Sequence, residues 1–223
     1  MNVSAKLGAE DVAQPLRFTV PEQLHEIDLT EDAETRVQRA YANATAIMRG
    51  ATEMQRLSVV FNQEMMIAQL VSEGAVYAGQ LIARSDADPA RLATAQFSIL
   101  VKDAVLDAAN ALAAVADGLK EPGRTREVAF ARYPAGEALV IGEEVKVTMP
   151  VTVTGEPVAS TSLVRQAQII FACPDRRHIA ILTLSSDSLA DWRAYIDILD
   201  GMARSVSFRA TKTSAIADRL SGF

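Results

Sequence analysis

The chain has 223 residues, 49% hydrophobic and 22% charged, which is globular composition with ample apolar material for one large core and excludes wholesale disorder. A net charge of −6 and a pI near 5.0 exclude the positive field that nucleic acid or an anionic membrane surface selects. No apolar run reaches the ~18–20 residues of a membrane helix, and a single cysteine, Cys173, excludes an intramolecular disulfide and a Cys-rich metal site.

In chain order, residues 1–16 lack an apolar period and read as a mobile arm. Phe18-Thr19-Val20 and Leu24 to Leu29 read as two short strands interrupted by Pro21. Thr30 has the chemistry of an N-cap, and Glu31, Asp32 and Glu34 put negative charge in the first turn of a helix running to Met48. Gly50 stops that helix, and Thr52 with Gln55 forms a capping box for a second one. This second helix carries Leu57, Val60, Phe61, Met65, Ala68 and Val71 and ends at Gly74. Val76 to Ala83 and Leu92 to Val101 make a hairpin across the turn Ser85 to Pro89. Asp103 to Leu119 reads as an alanine-rich helix closed by Glu121-Pro122-Gly123.

Four strand segments follow: Val128 to Tyr133, Ala138 to Val153 with a bend near Gly142, Leu163 to Ala172, and His178 to Ser185. Short turn-rich links such as Thr154 to Pro157 and Pro174 to Arg177 require antiparallel pairing, because parallel crossovers need more chain. Ser188 caps a last helix, Leu189 to Arg204, with Trp192, Ile196, Leu199 and Ala203 on one stripe, and Val206-Ser207-Phe208 returns as a strand. Residues 210–223 read as a frayed tail. The element order predicts a single α+β domain over residues 17–209, a mainly antiparallel sheet with helices packed on its faces.

The chemical inventory supports binding rather than catalysis. His25 and His178 have no ligand neighbours at metal spacing and read as surface or rim residues. No nucleophile elbow, phosphate loop or dinucleotide fingerprint occurs. Glu143-Glu144 and Asp86/Asp88 read as solvated acids near turns, and Cys173 as a small buried side chain. Neither a catalytic residue nor a cofactor nor a metal is therefore assigned. Interaction candidates are Arg176 and Arg177, a basic hairpin tip suited to an acidic partner, and Met65 and Met66, adaptable apolar side chains on the second helix. The expectation is a cytoplasmic protein that binds a protein partner or itself, without nucleic acid or membrane insertion; a small-ligand binder or an enzyme of another type is the alternative.

Phe18-Thr19-Val20-Pro21 with Leu24, and Ile179 to Leu184 followed by a Trp192 helix and Ala203 to Phe208, resemble the opening and closing motifs of PsbP-like α/β sandwich proteins. The helical stretch between Thr30 and Gly74 departs from that pattern, and no lipid-attachment cysteine stands near the start. The resemblance implies an accessory or assembly factor, with cytosolic chaperones of type VII secretion among the similar folds, and it assigns no functional residue.

Overall fold

The computed structural model describes residues 2–5, 16–88, 92–104, 111–119, 126–149 and 160–208. Nine strands and four helices follow one another as β1 (Asn2–Ala5), β2 (Leu16–Thr19), β3 (Leu24–Glu26), α1 (Ala33–Ile47), α2 (Glu53–Ser72), β4 (Ala75–Arg84), β5 (Leu92–Asp103), α3 (Ala111–Gly118), β6 (Arg126–Tyr133), β7 (Gly136–Met149), β8 (Ser160–Ala172), β9 (His178–Ser186) and α4 (Trp192–Ser205) among the described residues. Seven of the strands form one antiparallel sheet in the order β3-β4-β5-β9-β8-β7-β6. The α+β class is as expected.

Alternation along the strands sends one set of side chains to each face. Phe97, Leu184 and Ala167 are register partners across β5, β9 and β8, as are Ile99, Leu182 and Ile169. They face β2 and the buried Tyr195, Leu199, Met202 and Ala203 of α4, in the main core. Phe18 meets Tyr77 edge-on at a centroid distance of 5.3 Å, and Gly79 is required beneath that ring, since an added Cβ would lie 2.8 Å from the Tyr77 hydroxyl. The opposite face carries a smaller core where Leu112 and Ala116 of α3 cover Leu139, Ile141 and Ile170. The helix α2 lies on that same face over β4.

Several expectations hold. Thr52 and Gln55 cap α2 reciprocally, with Oγ1 accepting from Gln55 N and Gln55 Oε1 accepting from Thr52 N. Gly74 follows α2 with φ +81°, a conformation that favours glycine.

Others are corrected. The cap of α1 is Asp32, which accepts from Thr35 N, because Thr30 is already held by Asp28 Oδ1 through its own N–H and hydroxyl. Asp103 ends β5 rather than starting a helix, pairing with His178 across the ladder; α3 begins at Ala111 in the described residues. Ser188 makes no side-chain cap; its hydroxyl accepts from Thr94 N, and a 3-10 turn over Leu189–Asp191 precedes α4. Of the expected α4 stripe Leu199 and Ala203 are buried, together with the flanking Tyr195 and Met202, while Trp192 and Ile196 pack half-buried at its margin. Before Arg17, Leu16 is wholly buried, and Asn2–Ala5 forms a ladder with Leu16–Thr19, so elements exist where none was expected. Ser207 forms an isolated bridge with Arg17 that joins the two ends of the domain. The turns over 121–123 and 154–157, strand residues 150–153 and the tail 210–223 lie outside the described residues.

Candidate interaction face and cleft around α2

The helices α1 and α2 form a hairpin inserted between the neighbouring strands β3 and β4. An ion pair locks the two helices. Arg36 donates from Nε and Nη2 to the Glu64 carboxylate at 2.8 and 2.7 Å, and from Nη1 to the Glu31 carbonyl at 2.8 Å. Arg36 is buried, and the paired carboxylate holds its already high pKa higher still.

With α1 and the sheet on its inner side, α2 buries Val60 and Ile67. Its outer side is also apolar. Met54 is 66% exposed, Phe61 65% and Met65 56%, with Leu57 beside them in the i, i+3, i+4 pattern that places residues on one stripe.

Met66 does not share this stripe. It lines a cleft of ≈ 300 Å³ between α2 and the sheet. The walls are Met66, Gln69 and Leu70 of α2, and the floor includes Gln96, Ser98, Gln166, Gln168, Thr183 and Ser185. Lys102 and Glu73 close one end as an ion pair at 3.2 Å. A hydrogen bond from the Gln69 amide, and then that pairing, hold the Glu73 carboxyl below its ordinary pKa.

Arg176 and Arg177 occupy the exposed turn between β8 and β9, with Arg176 at φ +58°. The four interaction candidates thus occupy three places: Met65 on the outer stripe, Met66 in the cleft, and the arginines on the hairpin tip. His178 is not isolated. Its Nδ1 lies 2.6 Å from Asp175 and its Nε2 3.1 Å from Asp103, so two carboxylates clamp the ring. Asp175 also accepts the N–H groups of Arg177 and His178. Burial would raise its pKa, but these hydrogen bonds and the imidazole outweigh it and hold the carboxyl below its ordinary value. His25 is exposed on β3.

The other acids are structural. Glu143 and Glu144 lie mid-strand, not in a turn, and pair with Arg126 at 2.9 Å and Arg165 at 2.6 Å. Arg126 additionally donates to the Leu119 carbonyl, tying the end of α3 to the sheet. A second hollow, of ≈ 420 Å³, is lined by Ser85, Asp88, Asp187 and Asp191. There Asp191 accepts from Ser85 Oγ and Asp86 N, joining the β4–β5 and β9–α4 connections. Burial and the neighbouring Asp175 push the Cys173 thiol up to about 12, which leaves the thiolate, its reactive form, scarce at neutral pH. Among the described residues no group of three or more His, Cys, Asp or Glu side chains could hold a metal ion, and no helix is long and apolar enough to cross a membrane.

Residue spacing alone revealed the outer α2 stripe in part, through Met65. The cleft floor was missed, although three strands repeat a polar–apolar–polar triplet: Gln96-Phe97-Ser98, Gln166-Ala167-Gln168 and Thr183-Leu184-Ser185. No family model matches this chain, and neither the curated proteins nor the solved structures contain a match to it.

Proposed function

We propose that this protein is a non-catalytic interaction module that engages a protein partner through the outward stripe of α2. The observation that carries this reading is the exposure of Met54, Leu57, Phe61 and Met65 on one side of a helix whose other side is already committed to the sheet and α1. Contiguous apolar patches rimmed by polar residues mark protein contact sites. Aromatic and methionine side chains are enriched at the centres of such contacts, and methionine's flexible thioether adapts to its partner's shape. The Arg36–Glu64 lock supports the reading further, because a face presented by a fixed helical hairpin binds without the entropy cost of ordering it.

A narrower version is an accessory or chaperone-like adaptor working in the cytoplasm, of the kind that serves type VII secretion. It rests on the resemblance of the chain's two ends to PsbP-like proteins, and the α2 stripe is compatible with it.

The test is site-specific photo-crosslinking in cells of origin. A benzophenone side chain at Phe61 should yield a discrete protein adduct, and the same group at exposed Glu53 on the adjoining surface should yield markedly less. Equal diffuse labelling from both positions would remove α2 as the binding face, and an adduct of the protein with itself alone would replace partner binding by self-association.

A further inference from the structure

Register turns the three polar triplets into a grid. Gln96, Ser185 and Gln166 are direct partners across β5, β9 and β8, and Ser98, Thr183 and Gln168 form the next row. Strand spacing and rise make this grid roughly 7 by 10 Å. The intervening Phe97, Leu184 and Ala167 enter the core on the other face.

An antiparallel sheet with one wet face would show the same alternation. Here the face is roofed in part, with Gln96 exposed and Gln166, Gln168 and Ser185 half-buried. Ser98 is 6% and Thr183 9% exposed, although both sit at the centre of a cleft wide enough to hold ≈ 300 Å³ of open space beneath α2. Among the described residues, none of the six side chains makes a hydrogen bond to another protein group. Amides and hydroxyls can each donate and accept, so the floor presents a dense set of uncommitted donors and acceptors. The facing wall supplies the apolar Met66 and Leu70, beside Gln69, whose amide donates to Glu73.

We propose that this cleft binds a neutral, hydroxyl-rich small molecule of about one hexose in size. At about 30 Å³ per water-sized group, the space accommodates on the order of ten non-hydrogen atoms. An anion finds no open cation, since Lys102 is already paired with Glu73. An apolar ligand would strand the grid, at about 1–3 kcal/mol for each buried group left unsatisfied. A polyol ring meets both surfaces, with hydroxyls to the amide grid and C–H edges to Met66 and Leu70. Among the described residues no histidine or carboxylate other than the paired Glu73 lines the cleft, so the assigned role is binding without turnover. This site is separate from the α2 stripe, and neither reading depends on the other.

The test follows the side-chain amide resonances of Gln96, Gln166 and Gln168 in isotope-labelled full-length protein. Glucose, galactose and N-acetylglucosamine are titrated in turn, with sodium phosphate and octanoate representing the excluded classes. At least one sugar should produce saturable shifts in all three amides. Gln168→Leu should weaken that binding about tenfold or more, the loss of one well-made hydrogen bond, and Arg132→Ser on the exposed edge strand β6 should leave it unchanged. The proposal is overturned if none of the three sugars moves the amides, if phosphate or octanoate saturates them instead, or if a folded Gln168→Leu binds sugar as the wild type does. Should Gln168→Leu fail to fold, the wild-type titration decides alone.

Discussion

Substituting Glu64 by alanine isolates what holds the α1–α2 hairpin in place. The change removes all three contacts from Arg36 Nε and Nη2, at 2.8, 3.0 and 2.7 Å, and leaves the guanidinium with the Glu31 carbonyl alone. Breaking a fully buried pair from one side costs about 3–5 kcal/mol, mostly because a charge is stranded. The Arg36 and Glu64 side chains are 9% and 15% exposed, so water reaches part of the pair and the figure falls to about 2–4 kcal/mol. For a domain of this size that is a fall of roughly 5–15 °C in melting temperature. Removing both partners strands nothing, so Arg36→Met/Glu64→Ala should be more stable than Glu64→Ala, and with wild type and Arg36→Met these close a double-mutant cycle that reads the non-additivity directly. Urea titration of the four proteins, with amide exchange along α1, provides the measurement. A loss under about 1 kcal/mol for Glu64→Ala would mean the pair behaves as an ordinary surface bridge and that apolar packing alone fixes the hairpin.

Three further outcomes are expected. Leu199→Ala should cost about 2–5 kcal/mol and Trp192→Ala only about 1.5–3, because Leu199 is buried at the centre of the α4 stripe and Trp192 packs half-buried at its edge; a larger loss at Trp192 in thermal melts would return it to the core. Asp175 is held ionised below its ordinary range, so the stability its charge contributes is fully present above the unfolded value near pH ~3.9 and disappears as pH falls through the lowered folded value. The stability difference between wild type and Asp175→Asn should accordingly shrink in strong acid, and a difference independent of pH would contradict the hydrogen-bonded tip. Cys173 is buried with its thiol pushed up to about 12, so it should resist a thiol reagent at neutral pH in the native protein and react promptly in denaturant; fast native labelling would show an open route to it.

Local chemistry was legible where one segment decides it. Thr52 and Gln55 lie three apart and cap α2 by themselves, and the Pro174 to Arg177 turn follows from its own residues. Competition between neighbours was harder: Thr30 and Asp32 are both good caps, and only the Asp28 side chain, which takes Thr30 into a turn, decides between them. Contacts set by register were not readable from one strand at a time. Asp103 faces His178 because β5 and β9 are neighbours, and helix propensity in the alanines after it pointed the other way. The polar grid failed for the same reason, since each triplet alone is the signature of a strand with one wet face, and only the order β5-β9-β8 brings the three together under α2. Arg36 and Glu64 are 28 residues apart and meet through the hairpin.

The central claim is that the outward stripe of α2 is a binding face and not a part of the fold. Phe61→Asp/Met65→Asp tests it most directly, in parallel affinity isolations of wild-type and variant protein from native lysate at matched expression. Both side chains are more than half exposed, so the variant should keep the wild-type melting temperature and circular dichroism while losing the protein recovered in stoichiometric amount with the wild type. Undiminished recovery of that protein by the variant, or a variant that melts early because those side chains support the core, would contradict the account.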